Sequence, residues 1–174
     1  LSRVGIDGVV AGFDDGGEPA PDARMLWATC GGVRVGALYV PNGREVGHDH
    51  YAYKLAWLGR LRAHLDAHHS PDEALVLLGD WNIAPTDQDV WSPAAFEGST
   101  HVTVEERAAL GAVVDWGLVD TLRRRYPQDG IYSYWDYRNG DFHKRRGMRI
   151  DYLLSSTSLA RRAPPAPVHP TART

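Results

Sequence analysis

The stretch Ala74-Leu75-Val76-Leu77-Leu78-Gly79-Asp80-Trp81-Asn82 decides the fold. A short continuous apolar run from Ala74 to Leu78, bounded by turn residues, is the pattern of a β-strand covered on both faces. Asp80 and Asn82 leave its carboxyl end two residues apart, so they project from a rigid support toward the same side. A carboxylate there is costly unless it is paired, hydrogen-bonded or metal-bound. Mg²⁺ is a hard ion that takes oxygen ligands, and phosphodiester hydrolysis needs an activated water, charge neutralisation and a stabilised leaving oxygen. Asp80 and Asn82 suit two of these tasks. They suit equally a strand-end turn in which Asp80 caps a following helix, and the segment alone does not choose between the two.

Upstream, Met25 to Cys30 and Val33 to Val40 are apolar-rich runs joined by Gly31-Gly32, a pair that accepts the positive φ of a two-residue turn, and they read as an antiparallel hairpin. Pro41-Asn42-Gly43 ends the second strand and leaves Tyr39 at its tip. From about Tyr51 to His69, Leu55, Leu58, Leu61 and Leu65 recur at helical spacing, and Ser70-Pro71 stops the helix.

Downstream, Thr103 with Glu106 forms a capping-box pattern before a helix that runs to about Trp116, where Gly117 supplies a left-handed stop. A second helix is predicted from Val119 to Tyr126, and strands over Tyr132 to Tyr137 and Met148 to Leu154. Residues 1–162 read as part of one domain and the Pro-rich residues 163–174 as a disordered tail.

With 19 Lys and Arg against 22 Asp and Glu, the formal charge of -3 gives no general attraction to a polyanion, so any nucleic-acid contact must be local. Cys30 is the single cysteine, which excludes an intrachain disulfide and suits a reducing compartment, with the cytoplasm as the expectation. No stretch approaches the roughly twenty apolar residues of a membrane span. His64 and His68 stand four apart on the predicted helix, near His48 and His50, but without the third ligand that a zinc site needs.

Several segments fall in an order that resembles the exonuclease III and apurinic/apyrimidinic endonuclease family. They are Leu1-Ser2-Arg3-Val4-Gly5, as the start of a central strand and loop; Tyr39-Val40-Pro41-Asn42-Gly43; Tyr51-Ala52-Tyr53-Lys54-Leu55; Gly79-Asp80-Trp81-Asn82 with Ile83 to Asp87; Trp116 to Thr121; Ser133 to Arg138; and Arg149 to Leu154. The resemblance implies an α/β (α+β) fold, part of a four-layer αββα sandwich. It further implies a Mg²⁺-dependent phosphodiesterase of base-excision repair, with Mn²⁺ as a possible substitute, acting as a monomer on double-stranded DNA that is abasic or 3′-ended.

On that resemblance Asp80 is the proton-transferring carboxylate and, with Asn82, a metal-side residue, while Asn82 also donates to the developing oxyanion. Tyr39 stands near the phosphate as donor or phenolate, although a surface strand tyrosine is the plainer reading of the residue alone. Lys54 places a charge near backbone phosphates, although helical spacing alone makes it a solvated residue. Asp151 lies in an apolar strand and is expected to be buried beside a cationic or imidazole partner, with a structural pair to Arg149 as the alternative. Tyr134, Trp135 and Arg138 resemble a minor-groove loop, with Trp135 turned toward the core and Tyr134 toward DNA. Arg123 to Arg125 read as a solvated helix end.

The family's asparagine and glutamate from its first third, and its closing Ser-Asp-His-Ala-Pro-Val, have no counterpart in the sequence; Val168-His169-Pro170 does not reproduce the latter. The expectation is therefore a fragment with an incomplete metal cage, little activity of its own and exposed sheet edges. The rival readings are a phosphoinositide- or sphingomyelin-type phosphoesterase of the same superfamily and a non-catalytic DNA-binding fragment.

Overall fold

Gly31 and Gly32 stand at φ 57° and 78°, the left-handed pair a tight hairpin turn needs. They fold β2 (Met25–Cys30) back on β3 (Val33–Tyr39) in unbroken register from Met25↔Leu38 to Cys30↔Val33. The computed structural model describes residues 2–13 and 23–162. β3 runs parallel to β4 (Leu75–Asp80), a pairing that requires a crossover. Helix α1 (Asp49–His68) provides it. β8 (Asp151–Ser156) adds antiparallel to β4, and the edges are β1 (Asp7–Ala11) and β5 (Leu118–Asp120), giving a six-stranded mixed sheet in the order β1-β2-β3-β4-β8-β5.

Helix α1 begins where the His48 ring accepts a hydrogen bond from the His50 amide at 3.0 Å and ends at extended His69, before Pro71. Its Trp57, Leu58, Leu61 and Leu65 are buried against Trp27, Leu38, Leu75, Leu77 and Leu154 of the sheet. Each such leucine contributes roughly 1.5–3 kcal/mol relative to an exposed position. Helix α2 (Val104–Val114) completes this layer with Leu110 and Val113, and its Thr103–Glu106 capping box forms in both directions. Gly117, at φ 125°, turns the chain into β5 where a Cβ would come 2.8 Å from Pro71 Cβ.

The hairpin, α1, β4 and α2 agree with the sequence reading to within a few residues; other elements differ. Residues 118–120 form a strand rather than the start of a helix, because Leu118 and Val119 pair with Ser156 and Ser155 of β8. Only α3 (Thr121–Arg125) is helical there, capped by an Asp120 oxygen that accepts from the Arg123 amide at 2.9 Å. Of the segment read as the start of a central strand and loop, residues 2–5 are loop, and the strand that follows is β1, at the sheet edge rather than its centre. Tyr132 to Tyr137 contracts to β6 (Tyr134–Trp135), which pairs with β7 (Gly147–Met148). The strand predicted over Met148 to Leu154 breaks at Arg149-Ile150, whose backbone turns instead to the Asp89 carbonyl at 2.8 Å and the Trp81 amide at 2.7 Å. After β8 comes α4 (Thr157–Arg162); the tail read as disordered lies outside the described residues.

The cover anticipated on both faces of β4 is complete on the helix side, and on the other face Val76 is buried while Leu78 is partly exposed. On that same face Leu26 and Leu153 stay 47% and 49% exposed. Of the four layers implied by the sequence, the described residues build one large sheet and its helical layer, with β6 and β7 as a separate two-stranded ribbon.

Candidate active site

The register of the three central strands sets Tyr39 opposite Asp80, and Asp80 opposite Asp151. Neighbouring strands lie about 4.8 Å apart, so the three side chains form one row across the sheet. All three alternate with residues that face the helices, namely Leu38 in β3, Leu77 in β4 and Tyr152 in β8, and therefore share the opposite face. Tyr39 is half exposed, with the Arg24 guanidinium 5.0 Å from its ring centre. Asp80 is half-buried. Burial pushes its carboxyl up to about 6, with the Asp151 charge adding to the rise and the Asn82 amide opposing it.

No helix follows Asp80, so the capping alternative falls away. Its Oδ1 instead accepts the Asn82 amide at 2.8 Å, which helps hold Asn82 in the left-handed region at φ 52°, a conformation asparagine tolerates better than most residues. The buried Asn82 carboxamide donates to the Val40 carbonyl at 2.9 Å and to Asp80 Oδ2 at 3.2 Å. Its Oδ1 accepts from Asn42 Nδ2 at 3.0 Å. One lone pair of that oxygen is thus taken and the other remains for a cation, while the carboxamide N–H groups make Asn82 a donor as well. Exposed Asn42, read from sequence only as a turn residue, joins it and keeps a second N–H for a ligand.

Two further expectations change. Lys54 is wholly buried rather than set at a phosphate-facing surface, because its ammonium pairs with the buried Glu106 carboxylate and with backbone oxygens. Burial draws its pKa down, against the opposing pull of Glu106. Asp151 is exposed rather than buried beside a cation. The buried cation of that strand entry, Arg149, pairs with Asp89 at 2.6 Å and Asp120 at 2.8 Å, and Arg123 joins the same Asp89 rather than forming a solvated helix end. Ser133 Oγ accepts the amides of Ile150 and Asp151 at 3.0 and 2.9 Å, so the segment carrying Tyr134 is tied to the head of β8.

Tyr134 and Arg138 are exposed, and Arg138 lies 3.3 Å from Asp136. Trp135 is half-buried and packs edge-on to exposed Phe142 at 5.3 Å between ring centres, outside the buried core that the sequence reading gave it. His64 stacks on Trp27 at 5.1 Å, and no group of His, Cys, Asp and Glu among the described residues is arranged to hold a metal ion by itself.

Residues 4–173 match the Endonuclease/Exonuclease/phosphatase family. The chain belongs to that family. It is 31% identical over 143 residues to an exodeoxyribonuclease of Bacillus subtilis (strain 168), a match covering 82% of this chain and 56% of the relative. An exodeoxyribonuclease III of Haemophilus influenzae is likewise 31% identical, over 71% of this chain and 49% of its own length. The chain thus spans about half the length of these curated relatives. Among solved structures, an AP endonuclease from Archaeoglobus fulgidus superposes with a TM-score of 0.85 at 33% identity, over 90% of this chain and 61% of the other. The 3′ phosphatase NExo from Neisseria, bound to a product DNA hairpin, does so with a TM-score of 0.85 at 33% identity, over 92% and 62%.

For a family site of this kind the donor chemistry fits a hard divalent cation in type. Asp80 and Asp151 present two carboxylates at one register position; burial first, and the Asp151 charge in addition, raise the Asp80 pKa, and a cation between or beside the two would offset both. Two carboxylates do not fill the six or more oxygen positions such ions take. The Asn82 carboxamide oxygen beside them, water and phosphate are further oxygen donors of the right kind.

Proposed function

We propose that the protein containing this chain is a divalent-metal-dependent DNA phosphodiesterase of the exodeoxyribonuclease III type, which incises duplex DNA at abasic sites and trims 3′ ends. The observation that carries this reading is the row Tyr39, Asp80, Asp151 on adjacent strands, with the Asn82 and Asn42 carboxamides beside it. The names of the matched exodeoxyribonucleases and of the DNA-bound 3′ phosphatase support DNA as the substrate. Exposed Tyr134 and Arg138, anchored through Ser133 to the head of β8, supply an aromatic face and a cation for the nucleic acid beside the row.

Asp80, whose carboxyl ionises near 6, is a carboxylate at neutral pH and accepts the proton of the attacking water. The carboxamides of Asn82 and Asn42 donate to the phosphoryl oxygens as negative charge builds, Asn82 giving up its long bond to Asp80. Tyr39 adds a hydroxyl at the same face. A bound Mg²⁺, or Mn²⁺ in its place, would be held by Asp80 and Asp151 and would neutralise phosphoryl charge while making water more acidic. We further propose a monomer acting in the cytoplasm, the location being supported by the single cysteine, which suits a reducing compartment.

A panel of substrates tests the function. With Mg²⁺ the protein is expected to cleave an abasic duplex and a recessed 3′ end while leaving phosphoinositide and sphingomyelin intact. Hydrolysis of either lipid in preference to DNA would move it to another branch of the superfamily, and salt-dependent duplex binding with no cleavage would make it a binding module.

A further inference from the structure

Lys54 lies wholly inside the protein, and its ammonium joins two loops through their main chains. Nζ donates to the Asn82 carbonyl at 2.7 Å and to the Asn42 carbonyl at 3.3 Å, and it also bonds the Glu106 carboxylate. An ammonium has three N–H donors, so none is left for a ligand. Glu106 is saturated in turn. Its Oε1 also meets the Thr100 hydroxyl at 2.7 Å and the His101 amide at 3.0 Å, while Oε2 takes the Thr103 amide and hydroxyl at 3.1 and 2.8 Å. His101 Nδ1 lies 2.5 Å from the same Asn82 carbonyl, and Thr100 Oγ1 3.3 Å from the same Asn42 carbonyl. The Asn42 loop rests directly on this group, because a Cβ at Gly43 would stand 2.9 Å from Thr100 Oγ1 and 3.2 Å from Lys54 Cδ.

A buried ion pair is weak evidence for stability, since well-packed apolar residues of similar volume often do as well. What distinguishes this pair is where its bonds go. Both backbone carbonyls it holds belong to the asparagines whose carboxamides meet at the site. We propose that Lys54 and Glu106 are positioning residues that set the spacing and orientation of the Asn42 and Asn82 carboxamides, so that both are arranged before substrate arrives. The pair touches no substrate. What the carboxamides bind rests on the phosphodiesterase reading; how they are held does not.

The test therefore reads the free protein by NMR. Asparagine occurs only at 42, 82 and 139 and glutamine only at 88 and 128, so the side-chain carboxamide signals are few enough to assign singly. The double variant Lys54→Met/Glu106→Gln removes both charges and keeps an amide at the capping position. The Asn42 and Asn82 carboxamide signals are expected to shift, and Asn82 side-chain hydrogen exchange to quicken by roughly tenfold or more. Asn139 and the Trp81 indole N–H, which donates to the Tyr152 carbonyl at 3.1 Å, should not change. Unmoved Asn42 and Asn82 signals would overturn the proposal, as would a shift shared equally by the Trp81 indole, which would mark a general structural role.

If the double variant does not fold, Thr100→Val removes only the hydroxyl between Glu106 and the Asn42 carbonyl. It is expected to move the Asn42 carboxamide and leave the Trp81 indole in place, and an unmoved Asn42 signal overturns the proposal. In an active enzyme, either variant should lower kcat with little change in KM. An absence of cleavage in the parent would sink the phosphodiesterase reading while leaving the NMR result to decide this one.

Discussion

Asp80 faces opposing demands. The proposed chemistry near neutral pH needs it ionised, while its half-buried position and the Asp151 carboxylate on the next strand favour the proton. Its folded pKa of about 6 lies above the 3.8 of an unstructured aspartate, so between those values the folded protein holds a proton that the unfolded chain has lost. Stability from this group is thus greatest below 3.8 and is lost as pH rises through about 6. Asp80→Asn is therefore expected to gain in Tm relative to the parent on going from pH 4 to pH 7.5, measured in chelator; a pH-independent difference would contradict the assignment. Lys54→Met alone strands a buried carboxylate at Glu106 and should destabilise by roughly 3–5 kcal/mol in urea unfolding, where loss of a surface phosphate contact would change stability by little. The placement of Asp80 at a strand end, tied to Asn82, was legible because a carboxylate at the end of an apolar run needs a partner. The pairing of Lys54 with Glu106 was not, since helical spacing places Lys54 on α1 and the capping box places Glu106 on α2 without showing that the two helices bring them together.

Among the elements, β4 carries the site and two glycines allow its close fit. Gly36 sits where a Cβ would come 2.6 Å from Leu77 Cδ2 and 2.8 Å from the Trp27 ring; Gly36→Ala should lower stability by roughly 1–3 kcal/mol through overpacking. Gly79 stands at φ 139°, with the Leu38 carbonyl 1.9 Å from a would-be Cβ. Backbone cannot yield as a side-chain tip can, so Gly79→Ala should cost more than Gly36→Ala, and equal urea midpoints for the two would contradict this packing. The elements readable from sequence are those with local causes: the Gly31-Gly32 turn, the apolar spacing of α1 and the Thr103 cap of α2. Those misread depend on distant partners. β5 exists as a strand because β8 lies beside it, and β7 parts from β8 because Arg149 turns to Asp89.

At the scale of the whole molecule, the sheet separates a helix-packed face from one that carries the site row together with exposed Leu26 and Leu153. A hydrophobic dye should bind that second face, and Leu26→Lys/Leu153→Lys should reduce its fluorescence while shifting stability by no more than ~1 kcal/mol, as is usual for substitutions at exposed positions. The mixed α/β class and the family were legible in the order of short segments along the chain, each fixed by turns and strand ends. Which face holds the site was not, because facing depends on the register between strands far apart in sequence. The most direct test of the proposed function is the rate at which the full protein containing this chain incises an abasic duplex at saturating Mg²⁺, compared with its Asp80→Asn variant under conditions where both are folded. A loss of roughly 10²–10⁴-fold is predicted for a proton-accepting carboxylate; undiminished incision by Asp80→Asn would contradict the account.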